Sequence, residues 1–269
     1  MKNQDIDPDE IPEIVPDKIK SPYDYKAIIG IAVLVILFHV LTNYFMIPDD
    51  ADIIISVFSF VNPLIVTISG FFVAKKYQGS LVFGKSYLAL SFGFLSIFLA
   101  EVTYMIYDII YNVEPYPSIA DVFFFMLYPF LLIYLFLNIK FFTPKMGKRT
   151  KSWIIFMPLL VLLGYSILST TEAEISILEF DFYYGIIFVY AVTLTLSIAI
   201  VGAIVFKEGA IGKAWILLVL GILLLTIGDI WYYNLELFGK YELNHPVNMF
   251  WYAGYWLIIY ALYKHKKTI

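Results

Sequence analysis

Eight stretches of this chain are each apolar for about 20 residues or more, and that feature limits its fold more than any other. A helix of about 20 apolar residues crosses the roughly 30 Å hydrocarbon core of a bilayer with every backbone group bonded internally. The runs fall at about 27–47, 53–74, 85–112, 120–142, 152–170, 182–206, 212–238 and 247–264. The expected class is an all-α integral membrane protein with eight transmembrane helices. Composition agrees: 61% of the 269 residues are hydrophobic and only 15% are charged, with a mean hydropathy of +0.81. A soluble domain is closer to half apolar and a quarter charged. A net charge of -4 argues against nucleic acid as a partner, leaving the lipid bilayer as the first one.

The loops between these runs set an orientation, because cytoplasmic loops of membrane proteins are rich in Lys and Arg. "KKYQGSLVFGK", "KFFTPKMGKRTK", "KEGAIGK" and "KHKK" are basic, whereas "PDDAD", "NVEPYPSIAD", "TTEAEISILEFD" and "GKYELNHP" are acidic or near neutral. The strict alternation places both termini in the cytoplasm and the protein, multi-pass, in the cell membrane. Residues 1–26, acidic and with four prolines, read as a disordered tail. They do not read as a signal peptide, since the start is acidic and the following apolar run has full spanning length. Lysine far outnumbers arginine, Arg149 being the single arginine, and Ile and Tyr are abundant, a bias that suggests an AT-rich prokaryotic genome.

The chain also resembles itself. "GKSYLALSFGFLSIFLAEVTYMIYDIIYN" from Gly84 aligns without a gap on "GKAWILLVLGILLLTIGDIWYYNLELFGK" from Gly212. Glu101 then falls on Asp229, Tyr104 on Tyr232 and Asp108 on Glu236. After one deletion Asp121 falls on Asn248, Phe123 on Phe250 and Tyr128 on Tyr255. Matching leucines mean little between apolar helices, but coinciding acids and tyrosines mean more. Two four-helix halves are therefore expected, 27–142 and 152–264, and an even number of spans in each makes them parallel repeats.

Residues at i, i+3 and i+7 share one face of a helix. Glu101, Tyr104 and Asp108 have that spacing, as do Asp229, Tyr232 and Glu236. At about 1.5 Å per residue, Glu101 lies about 24 Å along its helix from Lys85, in the outer half of the bilayer. Asn62, just before Pro63 in the second run, is at similar depth. An ionisable group so placed costs on the order of 3 kcal/mol, and should face the bundle interior with a partner or water. With no basic residue in the outer half of any span, the acids are expected either to be protonated or to attract a cation or a cationic ligand, and the expected ligand is a small cation or an amphiphile. The candidate ligand-binding set is Asn62, Glu101, Tyr104, Asp108, Asp121, Asp229, Tyr232 and Glu236. The plainer readings are solvated helix ends for Asp108 and Glu236, and neutral structural acids for Glu101 and Asp229. "SIAD" also reads as a helix cap, Ser118 capping and Asp121 returning the bond.

Other chemistry is thinly supported. Without cysteine there is no disulfide, thiol catalysis or cysteine-ligated metal. His39, His245 and His265 are dispersed and make no zinc signature, so no metal or cofactor is expected. Phosphate-binding glycine loops and the GxSxG elbow are absent.

"EPYPSIADVFFFMLYPFLLIYLF" and "GDIWYYNLELFGKYELNHPVNMFWYAGYWLIIYAL" resemble the paired halves of the multi-spanning region that precedes PAS, GGDEF, EAL or histidine-kinase modules in prokaryotic signalling proteins. That resemblance implies a sensor-like role. Because "KHKKTI" follows the last run with no output module, signalling would pass through a separate cytoplasmic partner. "IGDIWYY" at Asp229 more weakly resembles the eight-helix lysoplasmalogenases, although "LAEVTYM" has Ala-Glu in place of their Gly-Asp. That resemblance implies a hydrolase with Glu101 and Asp229 as an acid/base pair acting on ether or lysolipids. A small transporter using the same site is the third expectation.

Overall fold

In the structure, a computed structural model, the described residues are 24–80, 82–143, 145–173, 175–207, 212–242 and 244–267. They form eight helices: α1 (Tyr25–Tyr44), α2 (Pro48–Lys76), α3 (Phe83–Met105), α4 (Ile119–Phe142), α5 (Lys148–Thr171), α6 (Phe180–Lys207), α7 (Gly212–Leu237) and α8 (Asn248–Lys267). No strand occurs among the described residues. Seven helices are long and apolar enough to cross a membrane, so the chain is a multi-pass helical membrane protein. The exception is α8, whose 20 residues include tyrosines, tryptophans and a lysine-rich end that lower its hydropathy. It nevertheless buries Tyr252, Leu257, Ile258, Ala261 and Leu262 in the bundle.

Local chemistry explains most helix ends. The Asp24 carboxylate accepts from the amides of Lys26 and Ala27, at 3.1 and 3.4 Å, so α1 begins two residues before the expected run. The proposed tail otherwise lies in residues 1–23, outside the described set. Pro48 occupies the first turn of α2, where its missing N–H costs nothing. Ser118 and Asp121 form a capping box on α4, with the Ser118 amide donating to Asp121 Oδ2 at 2.6 Å.

The third run departs from expectation. Its helix does not continue unbroken to residue 112, because Ile106–Tyr111 is a π-helical turn ending at left-handed Asn112 (φ 49°). A π turn advances fewer degrees per residue than an α turn, so Asp108 is rotated from the i+7 position; it is exposed yet stays within electrostatic range of Tyr104.

Short connections make successive helices antiparallel. Helices α2, α3, α4, α6, α7 and α8 form a ring in that order, each against the next, with α8 returning to α2. Of the apolar windows of α1 and α5 only 17% and 11% is buried, against 61% for α6, so those two are outer helices. α1 rests on α2 and α8, and α5 rests on α6. At the α7–α8 crossing, a Cβ on Gly221 would meet the Gly254 carbonyl at 3.0 Å, and one on Gly254 the Gly221 carbonyl at the same distance. Only glycine allows backbones to come so near, the usual device for packing helices in lipid.

One end of the bundle carries Lys26, Lys75, Lys85, Lys140, Lys148 and Lys264, and the other carries Asp50, Asp108, Glu114, Glu179, Asp181 and Glu242. The core fills the basic end. Phe83 of α3 and Trp215 of α7 meet across the ring at 5.1 Å between centroids, and both are fully buried. Tyr87 of α3 is hydrogen-bonded to His265 Nδ1 of α8 at 3.0 Å, and the His265 ring stands against Trp215 at 4.9 Å. The acids of α3 and α7 lie toward the opposite end.

Candidate functional site

Asp229 sits on α7 and accepts a hydrogen bond from each of two other helices of the ring. From α4, the Tyr128 hydroxyl donates to Oδ2 at 3.3 Å. From α8, the Trp251 indole N–H donates to Oδ1 at 2.9 Å. The second bond depends on Gly228, where an added Cβ would lie 2.9 Å from that indole nitrogen. The carboxylate therefore has two neutral donors and no lysine or arginine beside it among the described residues.

Glu101 on α3 has no hydrogen-bond partner among the described residues and no neighbouring cation. Tyr255 of α8 connects the two acids, its hydroxyl lying within electrostatic range of both Glu101 and Asp229. Its ring packs on Phe94 of α3 at 5.9 Å. Tyr128 is also within range of Tyr255, so the four polar groups occupy one region inside the ring.

Beyond this pair, toward the ends of α3 and α7, lies a cluster of acidic and aromatic residues. Tyr104 lies near Glu101, Asp108, Glu114 and Glu236. Tyr232 lies beside Glu236 one turn on and faces Tyr241 edge-on at 4.8 Å and 85°. The Trp251 ring completes the corner, 5.5 Å from Tyr232 and 6.3 Å from Tyr241. Tyr241, in the loop after α7, donates to Asn248 Oδ1 at 3.1 Å. Burial pushes its hydroxyl well above the usual tyrosine range, and the nearby Glu101 and Glu236 charges push the same way.

The other candidates are elsewhere. Both Asp121 oxygens have partners, Oδ2 taking the Ser118 amide and Oδ1 the Tyr184 hydroxyl at 2.8 Å. Asp121 thus ties the start of α4 to α6. Asn62 is buried on α2, taking the Trp256 indole N–H at 3.1 Å and donating to the Phe58 carbonyl at 2.7 Å. It lines a groove between α1, α2 and α8 and not the surroundings of the two acids. The cause is rotation about the helix axis, which a depth estimate does not contain. Conversely Tyr128, Tyr241, Trp251 and Tyr255 enter the site without having been candidates. The internal alignment carried a signal for two of them, since it set Tyr128 on Tyr255.

No group of three or more His, Asp or Glu among the described residues is arranged to hold a metal ion. Compared with family models, curated proteins and solved structures, the chain matches none.

Proposed function

We propose that this chain is a sensor-like membrane module that binds a small cation or cationic amphiphile at Glu101 and Asp229 and signals through a separate cytoplasmic partner. The observation that carries this reading is the setting of Asp229, held by Tyr128 of α4 and Trp251 of α8, with Tyr255 in range of both acids. Two carboxylates without a counter-cation leave negative charge for a ligand to neutralise. The faces of Tyr232, Tyr241 and Trp251 suit a soft organic cation, since aromatic quadrupoles attract positive charge.

In this reading α8 is the eighth span, the two four-helix halves are parallel repeats, and both termini are cytoplasmic in the cell membrane. Exchanging α1–α4 for α5–α8 turns the α2–α8 contact into the α6–α4 contact, and both exist. That exchange supports the duplication, and a pseudo-two-fold axis would bring Glu101 and Asp229 to one depth.

The test is a thermal-unfolding screen of purified protein against alkali, alkaline-earth and quaternary ammonium cations. A stabilising ligand should be found whose effect disappears in Glu101→Gln/Asp229→Asn. If no cation acts, or one acts equally on the double variant, the site is not a cation site. Turnover of a lysolipid by the wild type alone would instead make the same acids those of a hydrolase.

A further inference from the structure

α1 stands off α2 and α8 and leaves a groove of about 450 Å³, with no acid among its lining residues. Its walls are Ile31, Ile65 and Ile259. Ile65 and Tyr263 on its rim are 40% and 48% exposed on a surface that faces bilayer, not water. The groove follows α8 from Trp256 to Tyr263, about 10 Å along the helix axis.

Two features distinguish it from plain lipid-facing surface. The Tyr260 ring lines it, and the buried hydroxyl behind that wall has no hydrogen-bond partner among the described residues, so an oxygen-bearing ligand would satisfy this donor once the ring turns toward it. Its mouth is at the basic end, where Lys264 Nζ lies 5.5 Å from the Tyr260 ring centroid and exposed Lys26 starts α1, one residue before the groove-lining Ala27.

We propose that this groove is a binding site for one anionic membrane phospholipid, its hydrocarbon chain between α1 and α8, a glycerol oxygen on the Tyr260 hydroxyl and its phosphate against Lys26 and Lys264. Apolar walls account for the chain, and the charge at the mouth selects the headgroup. A basic residue at a membrane surface strengthens binding of anionic lipid about fivefold. The assignment is independent of the acid site.

Trp256 forms the far end of the groove and reports on its contents. The protein is reconstituted in phosphatidylcholine nanodiscs containing a low mole fraction of chain-brominated phosphatidylglycerol or, in parallel, chain-brominated phosphatidylcholine. Subtracting the signal of Trp256→Phe isolates the quenching of this residue. Brominated phosphatidylglycerol should quench it several-fold more than the phosphatidylcholine probe at equal fraction. Lys26→Gln/Lys264→Gln should abolish the difference, and Ala27→Phe should reduce quenching by both probes. Native mass spectrometry of the unmodified protein should show one retained phosphatidylglycerol, which keeps the test decisive if Trp256→Phe does not fold. Equal quenching by the two probes, or a preference that survives loss of both lysines, would overturn the assignment.

Discussion

Gly228→Ala perturbs the site without touching either acid. In the wild type the Trp251 indole reaches Asp229 at 2.9 Å over the bare Cα of Gly228. A Cβ there would stand 2.9 Å from the indole nitrogen, 3.0 Å from its Cδ1 and 3.1 Å from the Phe250 Cβ, too close for the ring to stay. Overpacking of this kind costs about 1–3 kcal/mol. Displacing the ring also loses a hydrogen bond between membrane helices, worth about 0.6–1.7 kcal/mol. Against these, alanine is favoured over glycine inside a helix by about 1 kcal/mol. The expected net loss is about 1–3 kcal/mol. Because two of the three close atoms belong to the indole five-membered ring, which phenylalanine lacks, the variant should cost much less in a Trp251→Phe background. Equilibrium unfolding in mild detergent, followed by circular dichroism, measures the cycle. A stabilising Gly228→Ala, or single and double variants that add within about 0.5 kcal/mol, would refute this account of how Trp251 is held.

Tyr241 gives a pH prediction. Its folded-state pKa lies above the unfolded value of about 10, so its stabilising contribution is complete below that pH and is lost as pH rises from about 10 toward the folded value. Ultraviolet titration should show Tyr241→Phe removing one late-ionising tyrosine, and Glu101→Gln moving that tyrosine to lower pH. Tyr116, pushed up by burial and by its 2.7 Å bond to Asp181, should be moved the same way by Asp181→Asn. Ser118→Ala removes the side-chain cap of α4 and should cost about 1 kcal/mol in the same unfolding assay. Gly254→Leu should cost more than that, because its side chain must enter the space of Leu225 and the Gly221 carbonyl.

Much of the helical organisation was legible because it rests on local rules. Long apolar runs give helices and Ser118 with Asp121 gives a cap, neither of which needs knowledge of neighbours, whereas the start of α2 at Pro48 lies five residues before the expected run. Charge alternation likewise marks which helix ends lie together. The π turn at Ile106–Tyr111 was not legible, since its residues suit an α-helix equally well, and with it went the place of Asp108. Asn62 shows a second limit: position along a chain fixes its depth, while the side of α2 it occupies depends on how α2 packs against α8. Trp251 and Tyr241 were hidden for a third reason. In a chain with 24 Phe and 22 Tyr, no single aromatic residue stands out until its neighbours in space are known.

The aromatic packing at the basic end bears on traffic. Phe83, Tyr87 and Trp215 leave no exposed surface there, and His265 binds α8 to α3 through Tyr87. The basic end of the ring is thus filled by side chains. A solute bound at Glu101 and Asp229, as proposed, would find these aromatic rings between it and the basic end, so what would cross the membrane is a change of shape, and the solute itself would stay behind.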